Sequence, residues 1–169
     1  MIVSRPVAAA LLIAACAPGR HAVGQSPPAP DILPAAIVAP GATEVTRVKA
    51  VGAQIYECGT AKTWVFREPI AALMQDGKTV GRHFAGPSWE FADSSAVVGK
   101  VVGSAPGGTA RDVAWLKLSV STARGTGVLG GVTTVQRLDT EGGQLSGSCD
   151  SPGALRAEPY TATYVFLRD

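Results

Sequence analysis

Tyr160-Thr161-Ala162-Thr163-Tyr164-Val165-Phe166 decides the fold class. Side chains of an extended segment point alternately to its two faces, so both tyrosines and the phenylalanine fall on one face and the threonines on the other. The same two-residue rhythm recurs upstream. Ala114-Trp115-Leu116-Lys117-Leu118-Ser119-Val120 sets the leucines on one face and Trp115, Lys117 and Ser119 on the other. Gly131-Val132-Thr133-Thr134-Val135-Gln136-Arg137-Leu138 is rich in β-branched residues, which suit strands better than helices. Gln54 to Cys58, Thr63 to Phe66, Val80 to Phe84, Ser88 to Phe91 and Ala96 to Val102 read as further strands.

Turn signals separate these segments: Asp76-Gly77, Gly86-Pro87, Asp93-Ser94-Ser95, Pro106-Gly107-Gly108, Gly125-Thr126-Gly127 and Glu141-Gly142-Gly143. Short strands at this spacing predict an all-β fold, an antiparallel sandwich or closed barrel of roughly eight to ten strands with little helix. The single exception is Pro69 to Met74, whose composition allows a helical turn. A local echo, Asp76 to Arg82 against Asp93 to Lys100, places a turn before valine, glycine and a cation in each copy, as hairpins of one meander would.

The N-terminal part carries an address. One basic residue, Arg5, precedes a short apolar stretch that ends Ile13-Ala14-Ala15-Cys16. Val7 to Ala15 is too short to span a bilayer, which needs about 20 apolar residues. The pattern is that of a cleaved export signal, residues 1–15, with Cys16 as the lipid-carrying N-terminus of a bacterial lipoprotein. The competing reading is an ordinary signal cut near Gly24, giving a soluble secreted protein. Residues 16–30 are rich in Pro and Gly and form a tether, leaving 31–169 as one domain. Localisation is then periplasmic or anchored at the outer membrane, with the lipid as the only membrane contact. Of three cysteines, Cys58 and Cys149 remain once Cys16 is lipidated. A bridge between them is the natural pairing in an oxidising compartment, against the plainer reading of two buried thiols.

Hydrophobic residues make up 46% of the chain and charged residues 17%, which suits a folded domain with a core. The net charge of +2 and the absence of any basic run leave no electrostatic footprint for nucleic acid. Gly125-Thr126-Gly127-Val128-Leu129-Gly130 matches the dinucleotide fingerprint on paper. That motif must open a helix, and here a β-branched run follows, so it reads as a glycine-rich hairpin loop. His21 and His83 lack metal-ligand spacing, and no metal or cofactor is expected.

The candidate functional residues centre on Gly81-Arg82-His83-Phe84-Ala85-Gly86-Pro87-Ser88-Trp89-Glu90. His83 shares its face with Gly81 and Ala85, which leave room above the imidazole for a ligand or a close-packed partner. The plainer reading is a histidine bonded to backbone at a strand end. Glu90 follows one tight turn later, and a carboxylate beside a histidine can orient it as a base. No nucleophile elbow accompanies them. Trp64, Trp89 and Trp115 can stack on sugar rings or aromatic ligands, although such residues more often form core. Trp115 alternates with Lys117 and Ser119, a half-exposed pattern. Arg137 in a strand is unusual, its plainer reading being a solvated face or a salt bridge.

Several separated blocks resemble the exported domain-of-unknown-function family 3455 of bacterial and secreted fungal proteins. They are Gly52 to Cys58, Trp64-Val65-Phe66, Asp76 to Gly81, His83 to Glu90, Val98-Gly99-Lys100-Val101, Ala114-Trp115-Leu116, Val132 to Leu138 with Thr140 and Gly142-Gly143, Cys149, and Tyr160 to Tyr164. The resemblance implies an exported β-rich domain with the two cysteines paired, and no known activity. Asp93-Ser94-Ser95 departs from it, where a glycine after the aspartate is usual, but does not touch the candidate residues.

These observations lead to a non-catalytic binding module of the cell envelope. Its ligand, a small molecule or glycan, is expected at His83, Trp89, Glu90, Trp115 and Arg137. The alternatives are a hydrolase using His83 with Glu90, or a structural envelope protein without a ligand.

Overall fold

The computed structural model describes Met1 and residues 33–169. The expected signal beyond Met1, Cys16 with its lipid, and the tether lie outside the described residues. Eight strands follow a 3₁₀ turn at Ala35–Ile37: β1 Thr43–Cys58, β2 Trp64–Gln75, β3 Lys78–Phe84, β4 Ser88–Phe91, β5 Ala96–Ala105, β6 Trp115–Arg124, β7 Thr134–Gly142 and β8 Leu155–Arg168. Each pairs antiparallel with the next, and β8 returns to β1, so the meander closes into a barrel with no free sheet edge. Of the two architectures expected, the barrel is the one formed.

Closure rests on the long β1–β8 ladder, which runs from Thr43↔Arg168 to Glu57↔Leu155. The helical turn expected at Pro69 to Met74 is not formed. These residues are the middle of β2, paired with β1 from Gln54↔Pro69 to Lys49↔Met74. Ala, Leu and Met favour a helix locally. A segment flanked by β1 and β3 gains ladder hydrogen bonds on both sides, and burial of Ala71 and Leu73, only as a strand.

The inward positions make one apolar core. Val48, Ala50, Leu73, Trp89, Phe91, Val97, Leu118, Val135, Tyr160, Tyr164 and Phe166 meet inside the barrel, as the alternation of β8 requires. At the end that holds the β2–β3 and β4–β5 turns, the glycine-rich 125–133 loop between β6 and β7 folds inward with Leu129 and Val132. Asp93 anchors it: its carboxylate accepts the Val128 N–H at 2.7 Å and the Ser95 N–H and hydroxyl. The loop thereby covers part of that end with apolar side chains, and a more open depression lined by Val45, Val80, Phe91 and Val128 lies beside it.

A second cluster lies outside the barrel. Residues 33–42 lie over β5–β8, and Ile37 packs with Ala105, Leu138, Val165 and Leu167, joined by Trp115. Two outward polar residues hold this strap: Gln136 Nε2 donates to Ile37 O at 2.6 Å, and Lys117 Nζ to Val38 O at 2.9 Å. Lys117 and Gln136 are direct partners across β6 and β7. The strap backbone lies so close to Gly103 that a Cβ there would run into Ala36 O. Gly103→Ala is therefore expected to lift the strap and cost about 1–3 kcal/mol, the usual range for overpacking. Urea unfolding followed by tryptophan fluorescence measures this, and an unchanged midpoint would show that the strap does not hold the barrel.

The other end carries the β1–β2, β3–β4, β5–β6 and β7–β8 connections. Here Cys58, closing β1, is disulfide-bonded to Cys149 in the β7–β8 connection. The cystine agrees with an oxidising, exported setting. No helix among the described residues is long and apolar enough to cross a membrane.

Candidate functional site

A cavity of about 340 Å³ opens inside the barrel at the end bearing the cystine. Small-molecule sites span roughly 300–1,000 Å³, and an eight-stranded barrel is just wide enough to hold one small ligand. The walls are mostly apolar: Phe66, Pro69, Pro87, Trp89, Val101, Leu116, Leu118 and Tyr164. A bulge shapes one side. Ile55 pairs with Glu68 and Tyr56 with Phe66, so Arg67 is the extra residue, and both Phe66 and Pro69 face the cavity. Phe66 and Val101 are about half-exposed and form an apolar rim.

His83, Trp89 and Arg137 all reach this cavity. The tight β3–β4 hairpin makes His83 and Trp89 direct partners, and their rings stack at 4.7 Å with only 6° between planes. Tyr164 meets both rings edge-on, at 4.9 and 5.2 Å. The small residues beside His83 do not leave the open space that the sequence suggests. A Cβ at Gly81 would run into the β4 backbone at Glu90, and the room above the imidazole is taken by Trp89.

His83 Nδ1 lies 2.8 Å from Ser88 O. A carbonyl only accepts, so Nδ1 carries the proton, and in the neutral ring Nε2 is an acceptor. Burial pushes the imidazole down from 6.5 to about 4; the Ser88 bond opposes this, and the Arg137 charge adds to it. The unfolded chain takes up a proton at His83 as pH falls through 6.5, whereas the fold resists until about 4. Stability from this group is thus complete above pH 6.5 and lost as pH falls through that window, by about 3 kcal/mol. Urea midpoints across this range should show the loss, and His83→Gln should flatten it. A parent profile level between pH 6.5 and 4 would contradict a buried neutral His83.

Arg137 points inward from β7, between its partners Leu116 on β6 and Tyr164 on β8. Its Nε donates to Ala114 O at 2.9 Å. No Asp or Glu among the described residues pairs with it, in contrast to Arg47, Arg67, Arg82, Arg124 and Arg156. The expected solvated face or salt bridge is therefore replaced by a guanidinium inside a mostly apolar cavity.

Glu90 and Trp115 are not brought there. Glu90 is paired with Arg82 across the hairpin and faces outward, held by Arg82 at 2.7 Å and Arg124 at 2.9 Å. Arg82 first, then Arg124, keeps its carboxyl below the ordinary range. His83 and Glu90 thus lie on opposite faces of the sheet, which removes the acid–base pair a His83–Glu90 hydrolase needs. Trp115 is on the outer face under the strap, with its indole N–H buried and unpartnered. Trp64 begins β2, partly exposed and away from the cavity lining. No cluster of metal-ligating side chains occurs among the described residues.

Alternation puts Tyr164 on one face with Tyr160 and Phe166 but gives it no part in the site, and it does not mark Leu116, Leu118, Val101 or Pro87. The signal for Tyr164 was its parity with Tyr160 and Phe166. The rim residues Phe66 and Pro69 depend on the Arg67 bulge, which alternation alone does not reveal.

The family described as protein of unknown function (DUF3455) matches residues 74–168. The chain belongs to this family. The DUF3455 match holds His83, Trp89, Leu116, Leu118, Arg137 and Tyr164, hence the inner wall of the cavity, and also Cys149. Cys58 and the rim residue Phe66 precede it, so the resemblance over Gly52 to Cys58 and Trp64 to Phe66 lies outside the matched region. A search of curated proteins and a search of solved structures each found no match.

Proposed function

We propose that the protein is a non-catalytic binding module of the cell envelope, and that its ligand is a small, largely apolar molecule taken into the barrel. The observation that carries this reading is the cavity itself: apolar walls and a half-exposed apolar rim at one end, while the 125–133 loop folds Leu129 and Val132 into the other. A barrel serving only as structure would fill both ends with side chains. His83, Trp89 and Arg137 are the binding residues on this reading; Glu90 and Trp115 are not. A hydrolase is disfavoured because His83 is buried, stacked and without its carboxylate.

Medium-chain probes test it. At least one of decanol, decanoate and decyltrimethylammonium should raise the thermal midpoint of the purified protein and fail to do so in Leu116→Trp, which fills the cavity. No shift with any probe would overturn the reading.

The envelope setting completes the proposal. Cys16 carries lipid and the Pro/Gly-rich segment holds the barrel off the membrane. Cys16→Ser is expected to move the protein from the membrane to the soluble periplasmic fraction; unchanged fractionation would end the lipoprotein assignment.

A further inference from the structure

We infer that the ligand carries a single negative charge, a carboxylate on an apolar body, and that Arg137 is its anchor. This rests on the proposed cavity function and adds the chemical class of the ligand.

In the cavity Arg137 and the Trp89 indole can only donate, while His83 Nε2 accepts and the Tyr164 hydroxyl can do either. Arg137 is a permanent cation whose Nε donates to Ala114 O. Its neighbour across β7–β8, Tyr164, has a buried hydroxyl with no hydrogen-bond partner. Arg137 lowers that hydroxyl's pKa against the larger effect of burial, so the two groups lie close together. The Trp89 indole N–H, which can only donate, is likewise buried and unpartnered. Deeper in the barrel, Tyr160 OH lies beside Tyr164 and Gln54, so these groups face one another and not the cavity alone. No carboxylate among the described residues lines the cavity.

Arg137 is partly buried, and a cation set against apolar walls without a counter-charge is stabilised by a partner of opposite sign. The group that answers the guanidinium is a negatively charged acceptor. An ionised carboxylate is that group, and it meets a guanidinium through two parallel hydrogen bonds. Charge decides between carboxylate and phosphate. Among the described residues Arg137 is the one unpaired cation in the lining, because Arg67 at the mouth is shared by Glu57 and Glu68 and His83 stays neutral at ordinary pH. A monoanion balances one cation; a dianion would bring uncompensated charge into an apolar site.

Decanoate, decanol and decyl phosphate, titrated into the purified protein with calorimetric readout, separate the outcomes. Decanoate is expected to bind at least about tenfold more tightly than decanol, from the worth of a hydrogen bond to a charged group, and more tightly than decyl phosphate. In Arg137→Gln the preference for decanoate over decanol should vanish, and in Arg137→Lys it should persist in weakened form. Circular dichroism establishes that each variant is folded, and should Arg137→Gln not fold, the parent's ranking of the three probes decides. Decanol and decanoate binding equally would overturn the anion assignment while leaving the cavity function intact. Decyl phosphate binding more tightly than decanoate would overturn the carboxylate assignment, and no binding by any probe would overturn both readings.

Discussion

Replacing both Cys58 and Cys149 with alanine is expected to lower the unfolding free energy by about 4–5 kcal/mol, the loop-entropy value for a bridge of this span. The two cysteines are 91 residues apart in sequence. The bridge therefore restricts most of the barrel in the unfolded chain, from the end of β1 to the connection before β8. Backbone bonds cross the same place: Cys149 N–H to Lys62 O at 2.9 Å, and Cys58 N–H to Ala154 O at 2.8 Å. They hold the geometry of the folded state without restricting the unfolded one, so the folded barrel should persist at lower stability. Urea unfolding of the oxidised parent and the double variant measures the difference. A loss below about 1 kcal/mol would mean that the unfolded chain is already compact around this pair. Thiol titration of the denatured, unreduced parent should find neither cysteine free.

Trp89→Ala is the largest single-site effect expected, about 3–5 kcal/mol, the range for truncating a buried aromatic. Trp89 is 1% exposed and lies against His83, Tyr164 and Phe166, so its removal opens the centre of the barrel and unseats the histidine. The size of the effect separates two roles that sequence leaves open. An aromatic serving mainly as an exposed stacking surface for a ligand would cost under about 1 kcal/mol when truncated, as surface positions do. A core aromatic whose edge borders the cavity costs the full amount, and Trp89→Phe should recover much of it while keeping the fold. Chemical unfolding of both variants gives the answer, and a near-neutral Trp89→Ala would contradict the packing described for the cavity wall.

Most of the fold was legible because alternation is a local property. Each strand read from period two is present, and Tyr160, Tyr164 and Phe166 share the inner face as expected. Closure was not legible, since the β1–β8 pairing joins the two extremes of the domain and leaves no short-range mark. Pro69 to Met74 misled because helix propensity is local while the forces that make β2 a strand come from β1 and β3. The site was half legible. His83 and Trp89 could be placed together from a hairpin of known register, and the same register turns Glu90 outward beside Arg82. Arg137 was ambiguous because Val135 and Leu138, of opposite parity, are both apolar. Val135 faces the interior and Leu138 faces the strap, so β7 is covered on both sides and its pattern does not say which face is inside.

The central claim is that a small amphipathic anion enters the barrel at its cystine-bearing end. Methyl NMR of the purified protein during titration with decanoate tests it most directly. The account predicts shifts at Val101, Leu116 and Leu118, which line the cavity, and none at the outward-facing Val51 and Leu155. Shifts confined to the outward methyls, or none at all, would contradict it.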